Sequence, residues 1–178
     1  MAKEFAEFVR KEAQEAARSE IDWQAKKDIW LKRLDDLYRR VEDYLDEFTK
    51  DGLITVERAP AHITEQYIGS YSTDRLILQI GKKQAELRPI GTLLIGSAGR
   101  VDLTGPSGSA RIVLAPREVE SPRITSRIRL AGEPPEEEEE KAAEPDWVWK
   151  LVVYDPSMRY LMLDRETFQS ALMAVANA

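Results

Sequence analysis

RLILQIGKKQAELRPIGTLLIGSAGRVDLTGPSGSARIVLAP, residues 75–116, reads as consecutive short strands separated by glycine-containing turns. Leu76, Leu78 and Ile80 alternate with Arg75, Ile77 and Gln79. Val101 and Leu103 alternate with Arg100, Asp102 and Thr104, and Ile112 and Leu114 with Arg111 and Val113. A period of two gives a sheet one apolar face and one that can meet water. GKKQ at 81–84 and GPSG at 105–108 have the length and composition of links between antiparallel neighbours. Pro89 lacks a backbone donor, which makes its strand an edge or ends it there. Gly91, Gly96 and Gly99 read as bends or bulges. Such a sheet needs a cover for its apolar face.

The segment before it can supply that cover. From Glu20 to about Lys50, Trp23, Trp30, Leu37 and Tyr44 recur every seven residues. Leu34, Val41 and Phe48 form a second row, and Leu31, Tyr38 and Leu45 a third, so the stripe has the width of a core-facing helix. Two of the rows could also serve as a coiled-coil seam for a partner helix or a second copy. Asp51-Gly52 should end the helix, which would extend about 45 Å. That is longer than a small sheet is wide, so one end should protrude. Residues 3–18 are helix formers with a thin apolar stripe (Phe5, Phe8 or Val9, Ala13, Ala16), and Ser19 with Asp22 predicts a helix break between the two segments.

Further along, LITVER at 53–58 predicts a first strand interrupted by Ala59-Pro60-Ala61, with His62–Tyr71 strand-like beyond it. After Pro116, RITSRIRL places Arg123, Arg127 and Arg129 on one strand face with Thr125. GEPPEEEEEKAAEP has nothing to bury and reads as an acidic disordered loop over 132–146. Trp147, Trp149, Leu151 and Val153 share a strand face opposite Val148, Val152 and Tyr154, so both faces of that strand should be covered. A turn at Asp155-Pro156-Ser157, a short strand at 160–163 and a helix capped by Asp164, with Phe168, Leu172 and Val175 buried, complete the chain. The fold class is therefore α+β in one domain: a helical region at 1–50, then a mostly antiparallel sheet of about seven or eight strands and a short C-terminal helix at 51–178.

Composition bounds the function. Among 178 residues there is no cysteine and one histidine. Disulfides, thiolate catalysis and multi-histidine metal sites are thereby excluded. His62 and Glu65 have odd spacing and would project to opposite strand faces. GPSGS at 105–109 misses the G-x-S-x-G nucleophile elbow, and Gly81-Lys82-Lys83 lacks the rest of a P-loop. No carboxylate pair is singled out for acid–base work. No apolar run approaches the roughly 20 residues that span a bilayer. The N-terminus has no signal-peptide core, and a cytoplasmic location is expected.

Of the net charge of −6, the stretch from Glu133 to Asp146 contributes −7, with eight acids and one lysine, leaving the remainder at +1. Three arginines on one strand face gain if an anion lies across them. The expected function is a non-enzymatic protein-binding partner: an adaptor, an immunity- or antitoxin-like inhibitor, or an assembly subunit. Its expected contacts are the long helix, through Trp23 and Trp30, and the basic strand face, with self-association through the helix as one form. No cofactor or metal is expected. The alternative is a nucleic-acid-associated module using the arginine face at 123–129, against which the near-neutral body argues.

Overall fold

From Ala2 to Lys50 the chain forms one unbroken helix, α1, of 49 residues, or about 73 Å. The computed structural model describes residues 2–92, 98–122 and 145–177. The expected break at Ser19 does not occur. Helix-forming residues on both sides outweigh a local cap signal. The helix ends where Asp51-Gly52 predicts. Gly52 takes φ +70°, its N–H bonds to Thr49 O, and the Leu53 N–H bonds to Phe48 O at 2.9 Å. This is the double closure that a left-handed glycine allows.

Seven strands follow: β1 (Ile54–Glu65), β2 (Gly69–Ile80), β3 (Lys83–Gly91), β4 (Gly99–Gly105), β5 (Gly108–Pro116), β6 (Trp147–Tyr154) and β7 (Met158–Met162). They form one sheet in chain order, each antiparallel to the next. A second helix, α2 (Arg165–Ala176), closes the chain. Its Asp164 cap accepts from the Thr167 N–H at 2.8 Å, while Thr167 Oγ1 accepts from the Asp164 N–H at 2.9 Å. The molecule is α+β, as the sequence pattern requires.

Both helices cover the same sheet face. Trp30, Leu34, Leu37, Tyr38, Val41 and Leu45 of α1 are buried against Leu76, Leu78, Leu87, Val101, Leu103 and Ile112, and Phe168 of α2 joins them. The predicted helical stripe therefore packs on its own sheet. On the opposite face a small second cluster forms from Val113, Ala115 and Val152 with Met158 and Tyr160. Both faces of β6 are accordingly covered.

Three strand readings need correction. β1 runs straight through Pro60, which pairs with Asp74. An edge strand tolerates proline because one side of its ladder has no partner to satisfy. The stretch from His62 to Tyr71 is two strands and a turn, with β1 ending at Glu65 and β2 starting at Gly69. Pro89 lies in β3, an interior strand, but past Leu87, where its ladder to β2 stops. At that point β4 is its one neighbour, so the edge is local. The buried set on β1 and β2 also changes parity, from Leu76 and Leu78 to Ile63, Glu65 and Tyr71. The change falls where the β1–β2 ribbon continues without β3, and lone two-stranded ribbons twist more than interior strands.

Candidate docking site

The contact between α1 and the sheet occupies one part of the helix. Trp30 marks its start. It is 1% exposed, its ring meets Trp149 at 6.0 Å, and a Cβ on Gly99 would lie 2.3 Å from its Cζ3. Trp149 fixes the same turn by donating from Nε1 to Arg33 O at 3.2 Å. Trp30 is thus a core anchor. The expectation that it would serve as an exposed docking residue fails, because β4 gives it a glycine to pack on.

Trp23, two turns earlier, is half-buried. Its ring stacks on Tyr67 at 5.0 Å and 8°, and Lys26 Nζ lies 4.3 Å from the ring centroid. Tyr67 sits in the β1–β2 turn, so this ribbon tip is the last part of the sheet to reach α1. Of the side chains from Phe5 to Arg18, all but Ala6 are exposed.

This overhang keeps the character of the buried part. Phe5, Trp23 and Val41 are spaced by about five turns each, as are Ala16 and Leu34, so they point the same way around the helix. Phe5, Phe8 and Val9 therefore continue the core-facing stripe where none of the described strands covers it. They are 69%, 58% and 46% exposed. Glu12 falls in line with Trp30 and so lies within the stripe. Glu15 borders it and pairs with Lys11 at 3.9 Å. The overhang thus presents an apolar face with acidic residues in and beside it.

A second apolar surface lies at the other end of α1. Leu45, Phe48, Leu53, Leu172 and Met173 line an open groove of about 500 Å³ between the end of α1, the start of β1 and α2. Leu53 and Met173 are 61% and 65% exposed, and Lys83 stands at the rim. Sequence reasoning did not find this groove. Leu53 reads as the first residue of a strand but lies just ahead of β1, and Met173 falls off the predicted stripe of α2.

Several polar groups elsewhere bond within the protein. His62 is exposed, with its ring 3.2 Å from Ser72 Oγ. Glu65 faces the other way, as its odd spacing from His62 requires. It is buried, and accepts from Tyr71 Oη at 2.5 Å and from the N–H and hydroxyl of Thr92 at 2.8 and 2.9 Å. Burial, reinforced by this carboxylate, holds the Tyr71 phenol well above its usual pKa. Gly91 makes room for the carboxylate: a Cβ there would lie 2.8 Å from Glu65 Cδ. Arg58 bridges β1 to α1 through Asp35 at 2.7 Å and Glu42 at 2.9 Å.

On the sheet face away from the helices, Arg75 and Arg88 share Glu86, Arg100 is bidentate on Asp102, and Arg111 contacts Tyr154. Arg75, Arg88 and Arg100 thus each have a carboxylate of the protein itself, while Arg111 meets a phenol. Arg123, Arg127 and Arg129 lie outside the described residues, as does the acidic segment apart from Pro145 and Asp146, both exposed. Among the described residues no cluster of three or more His, Asp or Glu could hold a metal. No described helix is long and apolar enough to cross a membrane. No family model, curated protein or solved structure matches this chain.

Proposed function

We propose that this protein is a non-enzymatic binding partner, an adaptor, inhibitor or assembly subunit, that engages another protein chain through the overhanging half of α1. The observation that carries this reading is the continuation of the buried stripe, with unchanged direction, onto a helix that has left its sheet. A monomer with no use for that surface would bear polar residues at Phe5, Phe8 and Val9. An exposed amphipathic helix with large side chains at i, i+3 and i+4 matches the helix-in-groove mode of recognition. Among the described residues nothing buries this stretch of helix, and propensity alone keeps helices of this length marginal in water. A partner would supply the missing contacts.

The test uses the full chain as bait in its own cell extract, after nuclease treatment, beside a Phe8→Glu variant. The wild type should retain a protein partner in stoichiometric amount, and the variant should lose it. Identical captures by the two baits would refute the reading.

A further inference from the structure

We propose that the protein engaged by the overhang is a second copy of this chain, whose groove at the far end of α1 receives it, so that copies join head to tail. This rests on reading the overhang as a docking element. The two surfaces are complementary in shape: Phe5, Phe8 and Val9 project from a convex helix face, while Leu53, Phe48 and Met173 line a concave groove. They are complementary in charge as well. The overhang carries Glu12 within its apolar stripe, and the groove carries Lys83 at its rim, next to Lys82 in the β2–β3 turn. Of the basic residues of the overhang, Arg10 points away from the stripe at 3.6 residues per turn, while Lys11 is paired with Glu15 and so leaves Glu12 as the acid within the stripe.

The contact must be intermolecular. Phe8 and Phe48 lie on one continuous helix and are about 60 Å apart along it, so a copy cannot fill its own groove. Parallel, in-register pairing of two overhangs is disfavoured, because it would bring the two Glu12 carboxylates into one apolar seam. A contact between two different patches leaves one overhang and one groove free at the ends of every pair. Growth then continues until a ring closes or a filament forms.

Light scattering of the purified full chain across the micromolar range tests this, using Phe8→Glu to disable the overhang and Met173→Glu to disable the groove. Both positions are exposed, so the variants should melt at the wild-type temperature. The wild type should form species larger than a dimer as concentration rises. Each variant alone should self-associate at least roughly tenfold more weakly. An equimolar mixture of the two variants should give a one-to-one dimer and nothing larger, because one intact overhang then meets one intact groove. A wild type that stays monomeric overturns the proposal. So does a Met173→Glu variant that self-associates like the wild type, since the overhang would then be binding something other than the groove. If the wild type is monomeric yet the Phe8→Glu bait still loses a foreign protein, the docking reading stands and the self-assembly falls.

Discussion

Gly99 has no side chain because Trp30 occupies the space. A Cβ built there would sit 2.3 Å from Trp30 Cζ3 and 2.7 Å from Cε3, and Trp30 is held from behind by Trp149. Neither aromatic can retreat without opening the seam between α1 and the sheet. Gly99→Ala should therefore destabilise the protein by about 1–3 kcal/mol, the range for overpacking a filled core. Urea unfolding would measure it. An unchanged midpoint would mean that the ring has room to move. The sequence marks this glycine as a bend or bulge, and nothing local could say more, because its reason lies in a helix far earlier in the chain. Trp30 illustrates the same limit from the other side. Heptad spacing assigns its direction, but whether it meets a sheet or solvent depends on where the sheet ends. Glu65 faces away from His62, as the odd spacing predicts, yet its burial depends on the ribbon's change of parity, which alternation alone does not encode.

Elements are held by contacts that patterns describe less well than they describe the elements themselves. The strand WVWKLVVY was legible as β6 with both faces covered, and its inward row, Trp149 and Leu151, is buried as read. What covers the other face was not legible. Lys150 is buried there and donates from Nζ to Arg117 O at 2.8 Å and Val119 O at 2.5 Å. Glu120 O accepts from the Tyr160 N–H at 2.8 Å, so residues 117–122 form a strap across β6 and β7. Burial lowers the pKa of the Lys150 ammonium, against the opposing pull of Glu118 and Glu120. Lys150→Met would keep the stem and remove the donor to both carbonyls. The expected loss is about 1–3 kcal/mol, with faster hydrogen exchange of amides in the strap. Exchange at wild-type rates would show that the strap is held by its other contacts. A lysine inside an apolar strand run was the available signal, and its meaning depended on a connection of irregular backbone. The α1 and Pro60 corrections have a common cause. In each, a local signal to stop yielded to its context, a long run of helix formers in one and an edge position in the other.

At the scale of the molecule, the meander was legible because the links between β2 and β3 and between β4 and β5 are two-residue turns with glycine beside them. The division of α1 into covered and uncovered parts was legible only as a mismatch of lengths. The charge distribution has a consequence for the whole fold. Burial would raise the Glu86 carboxyl, but the hydrogen bonds from Arg88 and Arg75 outweigh it and hold the pKa below the usual 4.5. The Arg58 hydrogen bond does the same for Asp35, and the Thr167 N–H for Asp164. A carboxyl whose pKa is lower folded than unfolded contributes stability that is present above the unfolded value and lost as pH falls through the folded one. Stability should thus decline below about pH 4.5, where protonation of the other acids also turns the net charge from −6 toward the sum of 26 lysines and arginines and one histidine. Glu86→Gln isolates one contribution. The variant should be less stable than the wild type at pH 6, because Arg75 and Arg88 then share a neutral amide. Its stability should fall less between pH 5 and pH 3, so that urea midpoints converge at the acid end. Two parallel curves would mean that Glu86 has the same pKa folded and unfolded, and that the arginine pair on the open sheet face stabilises it no better than water.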